Sequence, residues 1–305
     1  MCKPTISIIM SIYNETFEEL NKSINSILSQ TFKDFEFIII NDNPNNIIIK
    51  SVIDSIIDPR IKLYNNEKNC GLIFSLNKAI QISQGKYIAR MDADDISYST
   101  RLEEQLNYIQ KNNLDLIGSY IELINEEDET IKSEMRFPIG HKKIDRFMTW
   151  GSCIAHPTWL GKRSMFEHLG GYRNAKYCED YDLILRAIKC GYVVGNLPKV
   201  QLKYRIRMNG ISKSHSVDQY LIREYLSYHR KSICIISDND INNYLKSNQY
   251  MSQKDKVIQY KKCKSIIKNS KESILIRSKA IVKSIINKYF WKDLQEKIML
   301  FLREY

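Results

Sequence analysis

No run of about 18 or more apolar residues occurs in the 305-residue chain, so a membrane-spanning helix is not expected. Residues 1 to 5 lead into a short apolar run without the pattern of a signal peptide, and the expected location is the cytoplasm. Seven cysteines, at positions 2, 70, 153, 178, 190, 234 and 263, form no Cys-x-x-Cys pair, which argues against a zinc site and fits reduced thiols. No Gly-x-Gly-x-x-Gly follows the first apolar run and no Gly-x-x-x-x-Gly-Lys appears, so neither a dinucleotide fold nor a P-loop enzyme is supported. No internal repeat is visible.

What is present suffices for a full core: 43% of the residues are hydrophobic, with room for one large domain and an accessory part. The net charge of +11 is unevenly spread. Of 46 Lys and Arg, 24 lie in residues 1–202 and 22 in residues 203–305, whereas the 35 Asp and Glu divide 26 to 9. A basic segment of this kind answers to nucleic acid, to anionic lipid or to solubility alone, and composition does not choose.

From residue 6 the chain alternates short β-branched runs with stretches of helical period. Ile6 to Ile12, Phe35 to Ile40, Ile61 to Tyr64 and Lys86 to Met91 read as strands; Phe17 to Leu28, Ile47 to Ile57 and Leu72 to Ile82 read as helices. Strand runs that are apolar throughout, separated by such helices, predict a doubly wound, mostly parallel α/β sheet covered on both faces. Longer strands are expected from Leu114 to Arg136, then a loop, two short helices and a returning strand pair up to Tyr204. After about residue 216 the pattern is helical to the end, which divides the chain into an α/β domain, 1–215, and a basic helical region, 216–305.

Ligands of such a sheet bind beyond the carboxyl ends of its strands. Those ends carry acids: Tyr13-Asn14-Glu15, Asn41-Asp42-Asn43-Pro44 and Asp92-Ala93-Asp94-Asp95. Carboxylates at Asp92 and Asp94 can share one hard divalent cation with a diphosphate. Alternatively Asp94 or Asp95 caps the next helix, whose start is marked by the capping-box pattern Thr100-x-x-Glu103. Asp42 can accept the ring N–H of uracil or make an Asx turn into Asn43-Pro44. Glu179, Asp180 and Asp182 open a helix, where acids suit the helix dipole; a carboxylate there can also act as a general base.

Taken together, Ser7 to Glu15, Ser26 to Phe32, Phe35 to Asp42 and Gly85 to Asp95 resemble the family 2 glycosyltransferases. So do Ala155-His156-Pro157-Thr158, Gly170-Gly171-Tyr172-Arg173 and Glu179 to Leu183, and the likeness covers roughly residues 5 to 212 in the family's order. The resemblance implies a GT-A fold and an inverting transfer of sugar from a nucleotide diphosphate, most often UDP, to an acceptor hydroxyl. It implies that Tyr13, Glu15 and Asp42 line the nucleoside pocket with Asn69 nearby. Asp92 then reaches ribose or metal, with Ala93 beside it, and Asp94 binds Mn²⁺ or Mg²⁺. Asp180 is the implied base and Glu179 an acceptor contact. Analogy points to a growing or lipid-linked surface glycan, of capsule or O-antigen type, as acceptor.

Two positions depart from the family pattern. Asn41-Asp42-Asn43-Pro44 stands where many relatives read Asp-Asp-Gly-Ser or Asn-Asp-Gly-Ser, which alters the turn but keeps the second acid, and Arg207 stands where relatives frequently place a metal-binding His. Arg207 cannot ligate a cation but can pair with a diphosphate. His156 fits either the acceptor side or a satisfied core position, and Trp150 and Trp159 either stack on a sugar or pack in the core. In the tail, Lys279, Lys283, Lys288, Lys292 and Lys297 interleave with Ile281, Ile285, Phe290, Trp291, Leu294, Ile298 and Phe301. That pattern fits an interfacial helix on the anionic inner face of the cell membrane, a packed subdomain or a homodimer contact. The rival functions are a sugar nucleotidyltransferase, which lacks its Gly-rich basic loop here, and a nucleic-acid-binding module, which leaves the ordered acids unexplained; no nucleic-acid partner is expected.

Overall fold

The computed structural model describes residues 3–207, 214–269 and 272–301. The chain divides into two compact units, one of Met1–Asn174 with Glu179–Gly210 and the other of Ala175–Cys178 with Ile211–Tyr305.

The first unit is built on one curled, mixed sheet. Strands β1 (Ile6–Ile12), β2 (Phe35–Asn41), β3 (Ile61–Asn65) and β4 (Tyr87–Arg90) are parallel in the order β3-β2-β1-β4. The two central strands are buried almost throughout, as continuous apolar runs require. Helix α1 (Phe17–Leu28) opens on a capping box in which Thr16 accepts from the Glu19 N–H, and it buries Leu20, Ile24 and Ile27. Helices α2 (Ile47–Ser55) and α3 (Leu72–Ile82) supply the next two crossovers. These elements match the sequence reading within two residues at each end.

Beyond β4 the pattern changes. Strand β5 (Ile96–Ser97) precedes helix α4 (Arg101–Lys111), then come β6 (Leu116–Ile124) and β7 (Thr130–Met135). Helix α5 (His141–Phe147), β8 (Leu160–Lys162), α6 (Arg163–His168), α7 (Glu179–Lys189) and β9 (Val194–Arg205) complete the unit. The sheet continues β4-β8-β6-β9-β5, with β8 antiparallel to both neighbours and β6 parallel to β9. The strand pair expected before Tyr204 is thus two strands that flank β6 instead of pairing with each other. In β9, Pro198 and Lys199 fall at a register shift between Leu197 and Val200, so the proline that cannot donate to the ladder sits in a bulge.

The capping box expected at Thr100 does not form. Thr100 has helical backbone angles (φ −94°, ψ 0°) and makes no side-chain cap bond, while Glu103 accepts instead from Thr31 Oγ1 at 2.6 Å. Nor does Asp94 or Asp95 cap α4, because β5 lies between them and pairs with β9.

The second unit is helical: α8 (Ser216–Tyr228), α9 (Asp238–Lys246), α10 (Asn248–Lys268), α11 (Ile274–Ile286) and α12 (Lys288–Phe301). Its small core joins Leu221, Tyr244, Tyr250, Val257, Tyr260 and Tyr289. Tyrosine hydroxyls keep polar partners there: Tyr250 bonds Asp218, and Tyr260 bonds Asp293 at 2.7 Å.

Candidate active site

Because β1, β2 and β4 run parallel, with Ile12 opposite Asn41 and Ile9 opposite Arg90, their carboxyl ends share one edge of the sheet. At the end of β1, Tyr13 is exposed and Glu15 accepts from the Tyr13 N–H at 2.7 Å. Burial pushes the Glu15 carboxyl up to about 7; nearby backbone N–H groups and Arg207 pull against the shift, and the Asp94 charge adds to it.

Asp42 closes β2 and is buried. Its carboxylate accepts from Asn66 Nδ2 at 2.7 Å and from the N–H groups of Cys70 and Gly71, both at 2.8 Å. The Asx turn at this corner belongs to Asn41, whose Oδ1 accepts from the Asn43 N–H at 3.0 Å, so the turn does not use Asp42. Asp42 instead ties the end of β2 to the loop that starts α3. Gly71, at φ +87°, caps that helix, and its N–H also reaches Asn69 Oδ1 at 3.0 Å. Asn69 is thereby brought beside Asp42.

The end of β4 carries the densest charge. Carboxylate oxygens of Asp92, Asp94 and Asp95 lie within 4.8 Å of one another. Asp95 is fully buried: Oδ1 accepts from the Arg205 N–H at 2.8 Å, while Oδ2 has no protein partner. Burial, then the charges of Asp94 and Asp92, hold the Asp95 carboxyl well above the usual carboxylate range. Asp94 is raised by burial and by Asp92, against Arg207, whose Nε donates to Asp94 Oδ2 at 2.7 Å. Three crowded carboxylates with an unpartnered buried oxygen form an all-oxygen set that suits a hard divalent cation. Arg207 therefore sits on the proposed metal acid itself, and its Nη2 also reaches Glu19 at 3.1 Å. With Arg205, Glu18, Glu19, Lys22 and Asp128 it lines a cavity of about 680 Å³.

At the start of α7, burial and then the Asp180 charge push Glu179 up to about 7, and burial raises Asp180. Asp182 is different. It has no exposed side chain and is gripped by Arg173 and by Arg186, whose Nε donates at 2.8 Å; Arg186 also donates to the Leu169 and Gly171 carbonyls. This acid holds the Gly170-Gly171 turn against α7.

Sequence reasoning passed over Arg90. It is buried in β4, one Nη2 bonds Asp92, and Nε and Nη1 are buried without a protein partner. Its charge lowers the pKa of both Glu179 and Asp180, so one guanidinium acts on the two acid groups. The signal was present: an arginine inside an apolar strand run needs a buried acid. Arg205 was also passed over, although it bonds the Asp94 carbonyl, the Asp95 carboxylate and Asn125 through different donors. His156 donates to or accepts from the Tyr172 hydroxyl at 2.7 Å, and burial together with Arg90 keeps it neutral. Trp159 is fully buried with its indole N–H on the Ile154 carbonyl, a core position.

Residues 7–170 match the model of the family described as glycosyl transferase family 2. An O-antigen biosynthesis glycosyltransferase of Escherichia coli, WbnJ, is 37% identical over 229 residues, which cover 72% of this chain and 89% of that protein. An uncharacterized glycosyltransferase of Methanocaldococcus jannaschii is 37% identical over 209 residues, 68% of this chain and 72% of that protein. The amylovoran biosynthesis glycosyltransferase AmsE of Erwinia amylovora is 28% identical over 215 residues, 68% of this chain and 78% of its own. With the curled, mostly parallel sheet of the GT-A type and acids gathered at its carboxyl edge, this chain belongs to glycosyltransferase family 2 and is a glycosyltransferase.

Proposed function

We propose that the enzyme transfers a sugar from a UDP-sugar to an acceptor hydroxyl, with inversion, during assembly of a surface polysaccharide. The observation that carries this reading is the cluster of Asp92, Asp94 and Asp95 at one sheet edge, linked through the charge of Arg90 to Glu179 and Asp180. The naming of two relatives for O-antigen and amylovoran biosynthesis supports the acceptor class.

In this reading Tyr13, Glu15, Asp42 and Asn69 receive the nucleoside, and Asp92 and Asp94 would hold Mn²⁺ or Mg²⁺. Bound there, the ion would neutralise charge growing on the departing group. Asp180 takes the proton of the acceptor hydroxyl as its oxygen attacks the anomeric carbon and the bond to the diphosphate breaks. Attack from the opposite face inverts the centre, so a single base suffices. Glu179, with its raised pKa, contacts the acceptor, and Arg207 exchanges its carboxylate partner for the diphosphate.

A panel of UDP-sugars assayed for UDP release with and without Mn²⁺ tests the reading. Thermal shift supplies the companion measurement: UDP should raise the melting temperature only with Mn²⁺ or Mg²⁺, and Asp94→Asn should weaken that dependence. Equal shifts in EDTA, or no UDP release from any donor, would remove its support.

A further inference from the structure

Helix α11 is oriented against the usual rule for an amphipathic helix. Its buried residues are the small Ala280 and Ser284, whereas Ile274, Leu275, Ile281, Val282, Ile285 and Ile286 are exposed, Ile274 and Ile286 by 85% and 80%. At 3.6 residues per turn these six occupy one arc of about 140°, interrupted only by Ser278, while Ile276, also exposed, lies outside it past Lys283. The exposed Lys279 and Lys283 border the arc on one side; on the other stands Arg277, half-buried with its Nε on the Ile267 carbonyl at 3.2 Å. Helix α12 adds Trp291, Leu294 and Ile298 at exposed positions spaced three and four apart, after Lys288. The large apolar groups do not serve the core of their own unit.

The geometry points to the outward face of α11 and α12 as a docking surface for an anionic lipid bilayer, with the isoleucines seated at the headgroup boundary and the flanking cations on lipid phosphates. An apolar arc bordered by cations alone is the pattern that such an interface selects. Helix α11 carries no acidic residue; α12 carries two, Asp293 and Glu296, of which Asp293 is taken by Lys264 at 3.0 Å and by Tyr260. A second copy laid on the same face would set cation against cation, whereas anionic headgroups complement Lys279 and Lys283. The indole N–H of the half-exposed Trp291 bonds the Ile285 carbonyl at 2.9 Å, tying the two helices into one surface. Among the described residues no helix is long and apolar enough to cross a membrane, so the contact is one of lying on the bilayer.

Co-sedimentation of the full chain with vesicles tests the assignment, independently of sugar transfer. The protein should pellet with phosphatidylcholine vesicles holding about a third phosphatidylglycerol, but not with phosphatidylcholine alone, and salt should release it. Ile281→Ser with Ile285→Ser should cut binding on the order of tenfold, and Lys279→Gln with Lys283→Gln roughly fivefold for each cation. All four positions are exposed, so melting temperature should stay unchanged. Binding that survives the isoleucine changes, or that is equal on neutral vesicles, would overturn the proposal. So would light scattering that finds a dimer which the same isoleucine changes dissociate.

Discussion

At the scale of residues, the three acids at the start of α7 show how neighbours assign chemistry to identical groups. Asp182 is locked between Arg173 and Arg186, whereas Glu179 and Asp180 hold raised pKa values and feel the single charge of Arg90. Asp180→Asn should therefore lower transfer by roughly two to four orders of magnitude while UDP binding, read by calorimetry, stays within about twofold. Asp182→Ala should act on folding instead. It leaves two guanidinium groups against a fully buried gap and should cost about 3 to 5 kcal/mol in denaturant unfolding. If Asp180→Asn keeps near-normal transfer, the base lies elsewhere on the edge.

At the scale of elements, the proposed nucleoside side of the site depends on one junction, the loop that leads into α3. Gly71 caps that helix at φ +87° with open space where a Cβ would go, so substitution there meets backbone strain and no clash. Gly71→Ala should cost about 1 to 2 kcal/mol in unfolding measurements. Because the Gly71 N–H holds Asp42, the same change should weaken UDP binding. Loss of stability with unaltered affinity would separate Asp42 from the donor. The element boundaries themselves were legible because apolar runs of five to seven residues and helical periods are local signals. The capping box at Thr100 was misread because a local motif was overridden by β5, which is pinned to β9 about a hundred residues along the chain.

At the scale of the whole molecule, the acids raised by burial make stability depend on pH. Glu15 and Glu179 move from 4.5 to about 7, so between those values the folded chain keeps protons that the unfolded chain has released. Their contribution is greatest below about 4.5 and is lost as pH rises through about 7. The unliganded protein should melt at a falling temperature across that window, and Glu15→Gln with Glu179→Gln should flatten the slope and raise the midpoint at about pH 8. An unchanged slope in the double variant would assign it to other groups. By itself the sequence determined the order of strands and helices, the family, and the acids at the strand ends, since these reside in periodicity and short motifs. Tertiary structure alone decided which acids remained available. Arg207 reaches Asp94 across 113 residues, Arg205 reaches Asp95 across 110, and Asp42 is held by a loop 28 residues on. Such partners are chosen by packing of distant segments, where burying a charge demands a counter-charge that no local pattern encodes.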